Sequence, residues 1–312
     1  MYVDYRRQLS LAVFLVLLTA GLALRNPVFA SPGNLRDICV NASHLGIAAL
    51  GMFLVILIGQ IDVSVGAILA ICSTLAGLLA KQGIPTPVVL LAAVLAGTVL
   101  GGVNGLIVAG LRIHSIVVTL GTASIYRGLL IKATGGSWIY GLPPQFTAFG
   151  QGKLLGMPIP VITLVVVYLL AAFLLSRIPG GRALFAVGSN PGAARLAGIP
   201  VARVQVLAFV LNGALVGLAA VVFASRFTVI QSNAGVGFEF AAITAVLVGG
   251  ANIFGGSGTV FGTLLGTLVI SALASALIFL GINSLWEPCF QGLFILAAVI
   301  LDRVRRPAAS PI

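Results

Sequence analysis

The chain has 312 residues, of which 60% are hydrophobic and only 7% charged, with a mean hydropathy of +1.18. A soluble domain carries about 25% charged residues, so lipid must be the solvent for most of this chain. Its net charge of +11 is then better assigned to loops held near anionic lipid than to a nucleic-acid surface.

In hydrocarbon every peptide group must find its partner within the protein, which leaves helices or a closed barrel. The apolar runs here are long and continuous, without the alternation of barrel strands. The expected fold is an all-α polytopic membrane protein. A span needs ~20 apolar residues, and ten segments qualify: 9–24, 38–59, 63–80, 86–111, 116–131, 159–177, 204–225, 239–254, 258–280 and 285–301.

In chain order, Arg6 and Arg7 precede the first apolar run, and Val28-Phe29-Ala30 follows it. Those flanks imitate a secretory signal, but the many later spans favour a retained first helix. Asn26-Pro27, Ser31-Pro32-Gly33 and Gly83-Ile84-Pro85 supply turn chemistry between the early spans, as do Pro143-Pro144 and Ile178-Pro179-Gly180 later. Around Gln60–Ser64 and over 251–258 a broken helix competes with a clean turn. Asn41-Ala42-Ser43 fits a glycosylation sequon but abuts an apolar helix, so it reads as accidental. Cys39, Cys72 and Cys289 are scattered in apolar segments, and His44 and His114 are isolated. The cysteines read as small hydrophobes, and neither a metal site nor a bound cofactor is expected.

The longest basic interruption is 178–203, with Arg182, Arg195 and Arg203 preceded by Arg177. With ten spans it falls on the same side as Arg6 and Arg7 and as Arg303, Arg305 and Arg306. The positive-inside rule makes that side the cytoplasm, with both termini. Residues 132–158, carrying Lys132 and Lys153, then lie outside. Arg25 and Arg36 run against the bias.

Gly97, Gly101 and Gly105 in one span match Gly258, Gly262 and Gly266 in another. The match suggests an inverted repeat of spans two to five and seven to ten. Small residues at this spacing let helices approach closely; packing is the plain reading and a sliding seam the functional one. Asp62 and Glu239 lie in or beside apolar segments, where a charge costs about 3 kcal/mol. Asp62 reads as a cap for the following helix, with proton coupling as the alternative. Glu239 suits a first helical turn and has Arg127 or Arg226 as pairing options. No GxxxxGK[ST], GxSxG or HExxH pattern occurs. The chain therefore reads as no enzyme, and energy for uphill work has to come from an ion gradient or from a partner on the basic loop.

Four ordered motifs resemble those of the ribose-type permeases of bacterial ABC importers. Ile61-Asp62-Val63-Ser64-Val65-Gly66 is similar to their IDLSVG signature. Gly181-Arg182, Ala186–Asn190 and Ala193–Ile199 are similar to their cytoplasmic loop. Glu239, Ala241–Ile243, Leu247–Gly250 and Gly255–Gly258 follow a third pattern, and Leu120–Thr122 with Tyr126–Gly128 a fourth. The resemblance runs from about residue 40 to the end. It implies one permease domain over 1–312, set in the bacterial inner membrane and paired with an identical or homologous permease. It also implies two ATPase subunits docked on the loop 178–203, and a periplasmic protein delivering a sugar. On that reading Arg182, Asn190, Ala194, Arg195 and Gly198 form the coupling surface. Gln60 stands where the family often has glycine, and would bond across a pore or cap a helix. Thr134–Pro143 is similar to permeases for autoinducer-2, and some rhamnose importers resemble these too. Trp138 and Tyr140 within it read as interfacial anchors, or as contacts for an incoming sugar or its carrier. The alternatives are an ion-coupled secondary carrier and a branched-chain amino acid permease of the same importer class.

Overall fold

In the computed structural model residues 5–305 are described, with side chains from Gln8 to Ile300 except Ser284. Arg306 lies outside this range, and the side chains of Arg6, Arg7, Arg303 and Arg305 are likewise outside it. Thirteen α-helices fill most of the described chain: α1 (Tyr5–Arg25), α2 (Pro32–Leu57), α3 (Val65–Lys81), α4 (Thr86–Leu111), α5 (Ser115–Thr134), α6 (Pro144–Gln151), α7 (Ile159–Arg177), α8 (Pro179–Ser189), α9 (Pro191–Leu196), α10 (Val201–Arg226), α11 (Phe238–Val248), α12 (Val260–Phe279) and α13 (Glu287–Arg305). The strands are two-residue pieces: β1 (Ile139–Tyr140) pairs antiparallel with β4 (Val229–Ile230), and β2 (Lys153–Leu154) with β3 (Met157–Pro158).

Each of the ten expected spans lands on a helix. Among the described residues seven helices are long and apolar enough to cross a membrane; α3, α11 and α13 are shorter apolar helices. The turn residues act as predicted. Ser31 caps α2 by accepting from the Asn34 amide, with Pro32 at the first position. The expected span 239–254 stops early, at Val248. Gly250 has a φ of +96°, a conformation that favours glycine and ends the helix, so 249–259 is an irregular segment.

Helix α2 is apolar all round and buried throughout Leu45–Leu57, as a central helix must be. It contacts α7, α10, α11 and α12. Helices α1, α4, α5 and α7 lie outside and keep broad apolar faces exposed, among them Leu91, Leu95, Leu129 and Leu169.

Contacts recur in corresponding pairs. Helix α3 meets α4 as α11 meets α12, α3 meets α5 as α11 meets α13, and α4 meets α10 as α12 meets α2. Two related halves packed about α2 and α10 would give this pattern. The matched glycines do different jobs within it. Gly97, Gly101 and Gly105 of α4 face Phe209, Gly213 and Val206 of α10. Gly262 and Gly266 face Gly249 and Ala245, in and just after the adjacent α11, and Gly258 abuts Phe53. The matched glycines thus serve close packing against different neighbours, α10 for the first set and chiefly the α11 region for the second.

The bundle has two distinct ends. One, here the loop end, holds α8, α9, the end of α2 and the 249–259 segment. The other, the clasp end, holds the β1–β4 pair and the links α1–α2, α10–α11 and α12–α13.

Candidate functional site

Between α2 and α3 the chain runs unwound through residues 58–64, held by side chains from three other helices. The Ile61 amide donates to Ser115 Oγ at 3.0 Å and the Val63 amide to Thr119 Oγ1 at 3.0 Å, both on α5. Asp62 is fully buried. Its Oδ1 accepts from the Ser64 amide (2.9 Å) and hydroxyl (2.6 Å), and its Oδ2 accepts from Asn212 Nδ2 of α10 at 2.8 Å. Asn104 of α4 donates to Ser64 Oγ at 2.7 Å, and the Tyr126 hydroxyl of α5 lies 3.3 Å from Asn104 Oδ1. This polar kernel ties α4, α5 and α10 to the break. Asp62 thus shapes the turn entering α3 and binds α10, but it is not the expected helix cap: the cap position is Ser64, and no side-chain capping bond is made there.

Gln60 Oε1 is buried without a hydrogen-bond partner, so the residue neither caps a helix nor bridges to a neighbour through that atom. Glu239 opens α11 with its carboxylate against Gly66, within electrostatic reach of Arg127, whose Nη1 donates to the Ala234 carbonyl at 2.7 Å. The other pairing option, Arg226, bonds instead to Asn41 Oδ1. Next to Glu239, the backbones of Gly66 and Gly235 touch, where a methyl group on either would overlap the other. The first turn of α3 and the link 227–237 therefore meet.

The basic loop is a helical hairpin. Asn190 Oδ1 accepts from the Ala193 amide at 2.9 Å and caps α9; Gly198, with φ +80°, lets the chain turn after it. Arg182, Asn190, Arg195 and Gly198 are exposed. Ala194 is not: it is 4% exposed and packs inward, so it supports α9 from beneath and cannot belong to an outer surface. Leu196 was not anticipated. It is 93% exposed, on the side of α9 turned away from Ala194. The root of the hairpin is a backbone junction. Gly188 lies against Leu57 and Gly256, the Gly256 amide donates to the Leu57 carbonyl at 2.9 Å, and Gly255 lies against Gly59 and Gly188. Helix α8 is thereby packed directly against the segment that leads into Asp62.

At the clasp end Trp138 and Tyr140 are stacked at 6.2 Å and half exposed. Among the described residues no group of three or more His, Cys, Asp or Glu could hold a metal ion.

The kernel residues Asn104, Ser115, Thr119 and Asn212 escaped sequence reasoning. The available signal was a polar amide inside an apolar run, which marks a functional or interhelical position in a membrane helix.

A family described as "Branched-chain amino acid transport system / permease component" matches residues 34–299. The chain is 37% identical to the autoinducer 2 import system permease protein LsrC of Enterobacter sp. (strain 638), over 97% of this chain and 89% of that one. It is 37% identical to the ribose import permease protein RbsC of Haemophilus influenzae, over 93% and 91% of the two chains. It is 38% identical to RbsC of Bacillus subtilis, over 93% and 90%. No solved structure matches. The match of motif, helix pattern and length, nearly end to end, makes this multi-pass membrane protein a member of that family of transport-system permease components.

Proposed function

We propose that the chain is the permease subunit of an ATP-driven importer that carries a small sugar or sugar-like molecule, of autoinducer-2, ribose or rhamnose type, across the bacterial inner membrane. The α8–α9 hairpin supports this reading most directly. A fully exposed leucine flanked by Arg195 is unsuited to solvent and suited to a groove on a partner, with arginine at the rim. The hairpin spans most of the loop 178–203, which serves as the coupling element to cytoplasmic ATPase subunits. Arg182, Arg195 and Leu196 face the partner, while Asn190, Ala194 and Gly198 shape and seat α9. The hairpin end is then cytoplasmic, as are both termini, and a periplasmic binding protein loads the clasp end. The exposed apolar faces of the outer helices are available for lipid and for a second permease, identical or homologous.

Asp62 argues against ion coupling: both its oxygens are bonded to Ser64 and Asn212 inside the bundle. The family's description keeps a branched-chain amino acid cargo as the competing assignment.

Proteoliposomes provide the test. The chain alone should import nothing under a proton or sodium gradient. With its ATPase subunits, binding protein and ATP it should accumulate a sugar of this class. Uptake by the chain alone, or accumulation of leucine in place of any sugar, overturns the proposal.

A further inference from the structure

At the clasp end a cavity of about 500 Å³ opens between the first half of α2 and the last half of α12, with Arg226 of α10, Phe238 of α11 and Glu287 of α13 on its walls. Its volume falls in the range of small-ligand sites, ~300–1,000 Å³. One wall is unusual for a membrane helix. Asn34, Asp37, Asn41 and His44 follow a three-four-three spacing, which puts them on one face of α2. They form a polar ladder running ~15 Å inward from the helix start.

The upper rungs are fixed by protein partners. Asn34 Nδ2 donates to the Phe29 carbonyl at 2.7 Å, and its Oδ1 accepts from Ser275 Oγ at 3.0 Å. Asn41 Oδ1 accepts from Arg226. The lowest rung is not satisfied. His44 stacks on Phe238, with ring centroids 5.9 Å apart, and its Nδ1 is buried with no hydrogen-bond partner. A buried polar atom left without a partner is uncommon and calls for an explanation, such as a water, an ion or a role in function; here a bound ligand can supply that bond. Continued at the same spacing, this face of α2 reaches Ala48 and Gly51. Gly51 lies directly against Asn212, the residue that holds Asp62. The cavity therefore points along α2 toward the polar kernel.

We propose that this cavity is a transit site for a neutral polyhydroxy solute, with His44 and the ladder on α2 supplying its hydrogen bonds. Arg226 bears electrostatically on Asp37, and Glu287 accepts from Gln291 Nε2 at 3.1 Å, so one carboxylate is charge-balanced, the other is hydrogen-bonded, and the walls hold no excess of positive charge for an anion. Hydroxyl groups, which both donate and accept, suit a lining of amides, carboxylates, guanidinium and imidazole. Phe238 offers an apolar ring face. The proposal rests on the importer reading, and adds the place where the solute pauses after release from its carrier.

The test uses the full assembly in proteoliposomes, with D-ribose, L-rhamnose, autoinducer-2 and leucine as probes. His44→Ala removes the unpartnered nitrogen, and Ala274→Trp fills the cavity from α12. Each variant should be recovered with its ATPase subunits in wild-type amount, and should import the wild-type sugar at least tenfold more slowly. Import at the wild-type rate by both variants overturns the transit site and leaves the importer reading intact. Failure of the wild-type assembly to import any of the three sugars defeats the importer reading itself.

A second measurement does not depend on the variants' assembly. With Cys39, Cys72 and Cys289 replaced by alanine, Ser275→Cys is labelled by a membrane-impermeant thiol reagent from the clasp side. The imported sugar should slow this labelling at least fivefold and leucine should not. Labelling unchanged by all three sugars, or slowed by leucine alone, overturns the proposal.

Discussion

At Asp62 a carboxylate sits in the middle of the bundle with dipoles as its bonded partners. Asn212 donates to it through Nδ2 and keeps its own Oδ1 buried without a partner. That combination separates two substitutions. Asp62→Asn presents an amide group toward Asn212, which accepts it by turning its carboxamide over, so the bond survives and a buried charge is removed. Asp62→Ala strands the Ser64 amide and hydroxyl and the Asn212 amide. Each buried group left unsatisfied costs about 1–3 kcal/mol. Thermal unfolding in detergent should put Asp62→Asn within ~1 kcal/mol of the parent and Asp62→Ala at least ~3 kcal/mol below it. Uptake should survive in Asp62→Asn, because the amide keeps the bonds that hold the break to α10. Loss of uptake with unaltered stability in that variant would return the residue to a coupling role.

Among the elements, the α4–α10 seam sets the tightest constraint. A side chain at Gly97 meets the backbone of Gly213, whereas one at Gly102, five residues along on the same helix, meets only Val210 Cγ2 at 3.5 Å. Overpacking costs ~1–3 kcal/mol where neighbours can shift, and more against backbone. Gly97→Val should abolish monodisperse protein in size-exclusion chromatography, and Gly102→Val should leave it unchanged. The helices themselves were legible because a span must be a long apolar run ended by Pro, Gly or charge, and those signals lie within one segment. Where α11 ends was not legible: Gly249-Gly250 and Gly255-Gly256 are equal as helix stops in sequence, and only the contact of Gly249 with Gly262 favours the first. The kernel was hidden for another reason. Its bonds between helices and to the break join residues 22 to 150 positions apart, and nothing local to Asn104 or Asn212 names Ser64 or Asp62 as a partner. The hairpin was recognisable by its charge and its motif, but the inward turn of Ala194 and the outward turn of Leu196 depend on how α9 is seated.

Over the whole molecule, the hairpin and the kernel are joined through the junction of Gly188, Leu57 and Gly256, and on the importer reading they are two ends of one lever. Leu196→Asp and Arg195→Glu should each weaken binding of the ATPase subunits at least about tenfold, a loss of ~1.4 kcal/mol, with membrane insertion unaffected; equal recovery in a pull-down would count against docking there. Gly188→Ala forces a methyl group into Leu57 and Gly256, so the ATPase subunits should still bind while uptake per ATP hydrolysed falls. The unwound stretch at 58–64 gives that lever something to act on. Ile61 and Val63 donate their amides to hydroxyls of α5 and not to a helical turn. A hydroxyl can be exchanged for a water molecule at little cost, with no turn of either helix coming apart. The centre of the bundle is thus fastened by bonds that can open and re-form while the rods around it stay whole.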